Sequence, residues 1–276
     1  MGHLTLLTDL GYRDHYVAAL KARLLHLAPT LPVIDISHGV EPYNIGHAVH
    51  VLRAVFWEFP KGTTHLITVR EYGASRTENS PAPGAPGWFA AEHEGHYFVA
   101  ADNGLLTLLC GGIPERLVRL HLPAALLLPD LAALPRTLNP TYEVLLPAAV
   151  RLARGEALEA VGTAATDLFV LKLPEVRIQD SRITGHVLHI DHYGNAITDI
   201  SREAVEVVGR GRPLAVHFGR EVVREIRVHF GAAPPGEAVC AFNPQGYLCV
   251  AICEGNGSEL LGLYVSSQVD VRFAGE

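Results

Sequence analysis

Residues 4–36 read LTLLTDLGYRDHYVAALKARLLHLAPTLPVIDI and set the pattern of the amino-terminal half of the chain. The apolar run at residues 4–7 predicts a strand, and residues 16–28 carry apolar side chains at helical spacing until Pro29 ends the pattern. Residues 31–36 predict a second strand. This alternation of strand and helix indicates an α/β domain with a mostly parallel sheet.

The alternation continues over the next hundred residues. The pattern predicts a second helix, a third strand, a hairpin that turns at Glu94-Gly95 and a later helix, at residues 45–56, 64–69, 88–101 and 145–153. The tract at residues 80–87 is rich in Pro and Gly and predicts an exposed loop.

Beyond Leu173 the sequence changes character. Short apolar strands divided by Gly, Pro and Asn are predicted at residues 185–190, 213–218, 225–230, 247–253 and 269–273. We therefore predict an α/β domain over residues 1–172, a linker over 173–182 and a small all-β domain over 183–276.

The composition is that of a folded protein and argues against one class of partner. Of 276 residues, 49% are apolar and 18% are charged, which supplies enough apolar side chain for a sizeable core. The 22 Lys and Arg residues are outnumbered by 29 Asp and Glu residues, and no basic cluster stands out. We therefore expect no nucleic-acid partner.

Targeting and metal-binding signals are weak as well. The apolar runs are shorter than the roughly 18 residues that span a bilayer, so we expect no membrane partner. The residues before Asp9 lack a signal-peptide pattern, which favours a cytoplasmic protein. The four Cys residues form no CxxC pair, and the 15 His residues include no HExxH motif. We expect structural thiols and no metal site.

Asp9 follows the first predicted strand, in the segment TDLGY at residues 8–12. Open α/β sheets bind ligands at the carboxyl ends of their strands, where a carboxylate can accept hydrogen bonds from paired ribose hydroxyls. Asp is also common as a cap or turn residue. Both interpretations stay open on the residues alone.

A second polar segment, IDHYGNAITDI, occupies residues 190–200. A hairpin turning at Gly194-Asn195 explains the glycine. It does not explain Asp191 beside Tyr193, because an unpaired carboxylate next to an aromatic ring suits a substrate ammonium group. Residues 102–104 (DNG) are interpreted as a turn. The motifs GxGxxG, GxxxxGK[ST] and GxSxG are all missing.

Six segments recur in the order typical of one protein family. They are residues 7–17 (LTDLGYRDHYV) followed by Lys21, then 35–38 (DISH), 59–63 (FPKGT), 102–106 (DNGLL), 190–198 (IDHYGNAIT) and 243–248 (NPQGYL). Together they resemble the S-adenosyl-L-methionine hydroxide adenosyltransferase family, the relatives of fluorinase and chlorinase. The resemblance covers nearly the whole chain.

The resemblance implies an α/β domain followed by a barrel-like β domain, in a homotrimer whose sites lie between one subunit's first domain and a neighbour's second. It implies hydrolysis of S-adenosyl-L-methionine (SAM) to adenosine and L-methionine, by attack of water or hydroxide at ribose C5′, without a cofactor. Asp9 would then hold the ribose hydroxyls. The residues that hold the methionine end or line the pocket would be Asp191, Tyr193, Asn195 and Asn243.

The sequence departs from the hydrolytic members of that family, which share VDPGVGxxR and a later HGRD. Residues 69–76 (VREYGASR) place Glu71 where those members have Asp. Pro140 stands where the motif has His, and Glu143 where it has Asp. Asn243-Pro244 replaces an Asn-Ser pair and removes a hydroxyl from the methionine carboxylate site.

Two functions of different class follow from these departures. Hydrolysis survives if Glu71 orients or deprotonates water while Arg76 or Arg70 stabilises developing hydroxide. Otherwise the chain is a catalytically impaired SAM- or adenosine-binding protein, and Glu71 and Arg76 form only a surface ion pair. His38 and His93 are candidates for a stand-in base, although a His in a folded core is more often simply hydrogen-bonded. Halide transfer is disfavoured because no tailored anion pocket is indicated. We expect the hydrolase.

Overall fold

The chain divides into an amino-terminal unit, Met1–Lys172, and a carboxyl-terminal unit, Leu173–Glu276. The computed structural model describes residues 2–72, 87–122, 139–172 and 175–274. The predicted loop at residues 80–87 therefore lies outside the described residues, except for Gly87.

The first half of the amino-terminal unit alternates strand and helix as predicted. Its elements are β1 Leu4–Leu7, α1 Tyr16–Leu27, β2 Val33–Ser37, α2 Ile45–Val55 and β3 Thr64–Ile67. The predicted hairpin is also confirmed, since β4 Trp88–His93 pairs antiparallel with β5 His96–Ala101. Glu94 and Gly95 form its turn with φ angles of 50° and 81°.

The sheet of this unit is mixed, so the prediction of a mostly parallel sheet is wrong. Its strand order is β2-β1-β3-β5-β4-β6-β7, where β6 is Arg116–Leu120 and β7 is Gly162–Ala164. Neighbours within the run β2-β1-β3-β5 pair in parallel. The pairs β5–β4, β4–β6 and β6–β7 are antiparallel. The hairpin reverses the chain at β4, and β6 and β7 extend that edge. A three-residue strand such as β7 is too short to give a periodic signal.

Helices cover both faces of this sheet. On one face, α1 and α4 Leu146–Ala153 pack against Leu4 and Leu6 of β1. On the other, α2 and α3 Leu105–Cys110 pack against Leu7 of the same strand. A short helix, α5 Leu158–Val161, precedes β7. Because helices cover both faces of the sheet, a ligand cannot bind on a face. The expected place for a ligand is among the loops at the carboxyl ends of the parallel strands.

The carboxyl-terminal unit is an antiparallel sheet curled toward closure. Its strands are β8 Arg177–Gln179, β9 Arg182–Ile190, β10 Ala196–Ser201, β11 Leu214–Phe218, β12 Glu221–Val223, β13 Ala238–Phe242, β14 Tyr247–Ile252 and β15 Gln268–Phe273. The order runs β12-β11-β15-β9-β10-β14-β13, with β8 paired to β9. Arg227, just after β12, bridges to Ala241 of β13 and so brings the two edges together.

Two predictions for this unit need correction. It is barrel-like but not purely β, because it contains α6 Arg202–Gly209 and α7 Gly257–Leu261. The strand predicted at residues 225–230 does not form. Ile226 packs on the core, but Val228 is 94% exposed, and only Arg227 finds a bridging partner. Alternating apolar residues predict a buried face, yet a strand also needs a neighbour along its length.

No helix among the described residues is long and apolar enough to cross a membrane. Within the same residues, no group of three or more His, Cys, Asp or Glu is placed to hold a metal ion. The four Cys residues are free thiols, and burial raises the pKa of Cys110, Cys240 and Cys249 to about 12. At neutral pH these thiols are therefore protonated and unreactive.

Candidate active site

Asp9 follows β1 and joins the loops that leave three neighbouring strands. Its Oδ2 accepts hydrogen bonds from the backbone N–H of Tyr43, 2.9 Å away in the loop after β2, and of Arg70, 3.4 Å away after β3. Among the described residues, its Oδ1 has no hydrogen-bond partner. One carboxylate oxygen therefore organises the loops, and the other is left for a ligand.

A cleft of about 490 Å³ opens around this carboxylate. It is lined by Asp9, Leu10, Tyr16, Pro42, Tyr43, Arg70, Glu71 and Tyr72. Two carboxylates and three tyrosine rings thus share one opening, which has the size and mixed polar and apolar lining of a small-molecule site. The acidic groups and aromatic faces suit a ligand that carries a positive charge.

The backbone of the cleft is held in an unusual conformation. Tyr43 and Arg70 both have left-handed φ angles, 64° and 50°, which non-glycine residues adopt only at a cost of about 1 kcal/mol or more. Both residues point their N–H groups at Asp9. The loops therefore take up strain in order to present two donors to one carboxylate.

Asn103 holds the loop after β3 from the other side. Its Nδ2 donates hydrogen bonds to the carbonyl oxygens of Val69 and Arg70, at 2.9 and 3.3 Å, while its Oδ1 accepts from the N–H of Leu105 at 3.0 Å. The sequence interpretation of Asn103 as a turn residue accounts for the last bond only. The bonds to Val69 and Arg70 were missed, because nothing in the DNG motif says where its amide points.

Glu71 lies in the cleft wall and is hydrogen-bonded to a residue seventy positions away. The hydroxyl of Thr141 donates to its Oε2, and Trp88 Nε1 donates to its backbone oxygen at 2.8 Å. Burial raises the pKa of the Glu71 carboxyl above its ordinary value. Hydrogen bonds from the hydroxyl and the backbone N–H of Thr141 act in the opposite direction, and the charge of Asp9 makes a smaller contribution that raises the pKa. A carboxylate with a raised pKa is a stronger base than an ordinary carboxylate and is better suited to accept a proton from water.

The sequence offers two arginines, Arg70 and Arg76, to stabilise developing hydroxide, and only Arg70 lies within the described residues. Arg70 lines the cleft beside Glu71. Arg76 lies outside the described residues, so its pairing with Glu71 stays a prediction.

Neither stand-in histidine reaches the cleft. His38 is fully buried, with Nδ1 2.8 Å from Thr8 Oγ1 and Nε2 3.2 Å from Asp35 Oδ1. It ties the loop after β2 to the end of β1, and because it is fully buried and absent from the cleft lining, neither of its nitrogens faces the cleft. His93 is the last residue of β4, next to the hairpin turn. It lies at the opposite end of the strands from Asp9, which follows the carboxyl end of β1. Both are therefore excluded as the base in this arrangement.

The polar loop of the carboxyl-terminal unit is organised by Asp191. The predicted hairpin is confirmed, since β9 and β10 pair on either side of Gly194, whose φ is 83°. Asp191 accepts hydrogen bonds from the backbone N–H groups of Tyr193 and Asn195 and from Asn195 Nδ2, each at 2.9 Å. The expectation that this carboxylate is unpaired is therefore wrong. Its bonds shape a turn that leaves Tyr193 77% exposed.

Asn243 occupies a similar position in the turn between β13 and β14. Its Oδ1 accepts a hydrogen bond from the N–H of Tyr247 at 2.8 Å. Within the described residues its Nδ2 has no partner, so both N–H donors of the side-chain amide are available to a ligand.

Family models match both units of the chain. The model of the SAM hydroxide adenosyltransferase N-terminal domain matches residues 4–162, and that of the C-terminal domain matches residues 185–270. The chain belongs to the SAM hydroxide adenosyltransferase family. The family resemblance noted in the sequence motifs is thereby confirmed.

Individual members of the family are similar over almost the full length. The chain is 31% identical to (R)-S-adenosyl-L-methionine hydrolase from Thermus thermophilus, over 93% of this chain and 94% of that protein. It is 29% identical to fluorinase from Nocardia brasiliensis, over 90% and 89%. The crystal structure of a conserved protein from Thermotoga maritima shares the fold, with a TM-score of 0.81 and 24% identity over 98% of this chain and 99% of that one.

Proposed function

We propose that this protein hydrolyses SAM to adenosine and L-methionine, by attack of water at the ribose C5′ carbon. The observation that carries the proposal is the pairing of two carboxylates in one cleft of a family member: Asp9, with one oxygen unpartnered among the described residues, and Glu71, with a raised pKa. The similarity to curated SAM hydrolases supports the same reaction.

Each carboxylate has a separate task. The unpartnered oxygen of Asp9 accepts hydrogen bonds from the ribose hydroxyls and fixes the sugar. Glu71 accepts a proton from the attacking water. Arg70, or Arg76 as the sequence suggests, stabilises the hydroxide character that develops.

The reaction needs positioning more than acid catalysis. Water oxygen forms a bond to C5′ as the bond from C5′ to sulfur breaks, and the electron pair of that bond leaves with sulfur. Sulfur changes from a cationic sulfonium to a neutral thioether, so the leaving group requires no proton. SAM carries its own leaving group, and we propose that no cofactor takes part.

The carboxyl-terminal unit supplies the methionine end of the site. Tyr193, Asn195 and Asn243 contact this end, and Asp191 acts by shaping their loop rather than by pairing with the ammonium group. We further propose that the active form is a cytoplasmic homotrimer with interfacial sites. Sedimentation equilibrium tests the trimer, and a monomer at assay concentration would contradict it.

One observation favours a second candidate, a SAM- or adenosine-binding protein without turnover. Pro140 occupies the position of the His in the hydrolytic motif, and no other histidine described above reaches the cleft. Incubation with SAM, followed by chromatography for adenosine and methionine, distinguishes the two. Both products in equal amounts support hydrolysis. Calorimetric binding of SAM without product would establish the binding protein instead.

A further inference from the structure

Thr141 and Glu71 bring together the two places where the sequence departs from the hydrolytic family pattern. Thr141 follows Pro140, at the segment that lacks the expected His, and Glu71 replaces the expected Asp. The Thr141 hydroxyl donates a hydrogen bond to Glu71 Oε2. Thr141 is 5% exposed and is not among the residues that line the cleft. It therefore contacts Glu71 without being placed to touch a ligand.

The local backbone frees the Thr141 hydroxyl for this role. Residues Thr141–Leu145 form a π-helical segment just before α4, in which the N–H of Leu146 donates to the Thr141 carbonyl. Asn139 Oδ1 accepts from the N–H of Tyr142 at 3.0 Å and caps the segment. A hydroxyl near a helix start commonly bonds to the backbone of its own turn. Here Asn139 takes that task, and the hydroxyl points to Glu71.

Other charged and titratable groups surround Glu71, and they act on its ionisation in different directions. Asp9 opposes ionisation of Glu71. Burial raises the pKa of Tyr142, Arg23 acts against that shift, and Glu71 makes a smaller contribution that raises the pKa. The guanidinium of Arg23 lies 4.2 Å from the centre of the Tyr142 ring. Groups that face this region from other elements are Tyr16 of α1 and Arg70 after β3. Among the described residues, the Thr141 hydroxyl is the one side chain that donates a hydrogen bond to the Glu71 carboxylate. The backbone N–H of Thr141 also lowers the pKa of Glu71, and it is retained when the side chain is replaced.

We propose that Thr141 is a positioning residue for Glu71: it holds Oε2, favours the ionised carboxylate and leaves Oε1 for the attacking water. In catalysis the proton of that water then passes to Oε1 as the oxygen bonds to C5′. This consequence rests on the proposed hydrolase function. The relationship between Thr141 and Glu71 does not, and can be measured without turnover.

The direct test is a carbon NMR titration of the Glu71 side-chain carboxyl in protein labelled at Glu, with the signal assigned by its loss in Glu71→Gln. In Thr141→Val the hydroxyl is lost at nearly constant volume, so the midpoint of the Glu71 titration should move to higher pH. Thr141→Ser restores the hydroxyl and should return the midpoint toward the native value.

A matched control separates this effect from a general change in packing. Thr107 is also 5% exposed, but its hydroxyl donates to the backbone oxygens of Gly104 and Phe169 rather than to a carboxylate. Thr107→Val should leave the Glu71 midpoint in place. An unchanged midpoint in Thr141→Val, in protein whose circular dichroism is native, would overturn the inference.

The kinetic test uses the same variants. At slightly acidic pH, Thr141→Val should lower kcat for SAM about tenfold or more, with KM little changed, because a hydrogen bond to a charged group is lost away from the ligand. The loss should shrink as pH rises and Glu71 ionises again. If native protein yields no adenosine, the hydrolase proposal fails, whereas a shifted midpoint would still support the Thr141–Glu71 relationship. If native protein turns over SAM and Thr141→Val keeps the native pH profile, the positioning role fails.

Discussion

The side-chain amide of Asn103 lies 2.9 Å from the carbonyl oxygen of Val69 and donates a hydrogen bond to it. A second bond from the same nitrogen reaches the carbonyl oxygen of Arg70 at 3.3 Å. Arg70 has a left-handed backbone and its N–H faces Asp9. The DNG motif thus supports a strained loop that carries one wall of the cleft, in addition to making its own turn.

Replacing Asn103 tests whether this support matters for catalysis. Asn103→Ala should reduce kcat for SAM and lower the free energy of unfolding by about 1–3 kcal/mol, because buried carbonyl oxygens lose their donors. Asn103→Asp keeps the oxygen that accepts from Leu105 and loses the amide donor, so it should also lose activity. Native kcat in Asn103→Asp would show that the turn alone is needed. Urea denaturation and steady-state kinetics supply both measurements.

Asp9→Asn should weaken ligand binding more than it weakens the fold. The remaining side-chain oxygen can still accept from Tyr43 and Arg70, but the second acceptor becomes a donor and cannot receive ribose hydroxyls. We expect the calorimetric affinity for adenosine to fall at least tenfold, since a charge-assisted hydrogen bond contributes about 1.5–3 kcal/mol. Asp167→Asn removes the same charge at a side chain that is 70% exposed and serves as the control. Equal adenosine affinity in Asp9→Asn and native protein would contradict the assignment.

Glu71→Gln should separate chemistry from binding. If Glu71 accepts the proton of water, kcat should drop by about 10²–10⁴ while SAM affinity changes little. The pKa of Glu71 is raised by burial, so native activity should fall with decreasing pH earlier than an ordinary carboxylate predicts. The residual activity of Glu71→Gln should lack this acidic limb. If Glu71→Gln shows the same loss of activity at acidic pH as native protein, that loss is due to the titration of another group.

His65 should make the fold sensitive to acid. Its Nδ1 lies 2.7 Å from Thr5 Oγ1 and its Nε2 lies 3.3 Å from His96 Nδ1, within the core of the amino-terminal unit. Burial, with a smaller effect of His96, lowers the pKa of His65 to about 3. The unfolded chain binds the proton at a higher pH, so stability is complete above about pH 6.5 and is lost as pH falls toward 3.

Denaturation in urea at pH 7.5 and pH 5 measures this effect. Native protein should lose about 2 kcal/mol of unfolding free energy from His65 over this interval. His65→Gln keeps a polar side chain that does not titrate, so its loss should be smaller. Exposed His26→Gln should behave like native protein. The same pH dependence in all three proteins would mean that other groups control acid unfolding.

Several features could be predicted from the sequence because they are local or periodic. The strands and helices of residues 4–67 and the hairpin at Glu94-Gly95 follow from apolar spacing and turn residues. The family follows from motifs whose residues are contiguous. Strands β6 and β7 were not predicted, and they extend the antiparallel part of the sheet that the β4–β5 hairpin begins.

The sequence by itself determined the family and the positions of Asp9 and Glu71 at strand ends, since both depend on residues close together in the chain. Only the tertiary structure decided which groups contact those carboxylates. It placed Thr141 against Glu71 and Asn103 against Val69, and it showed Asp191 engaged within its own loop. Periodicity reports which face of an element is buried, whereas a hydrogen bond between distant residues depends on how elements pack and on where each side chain then points.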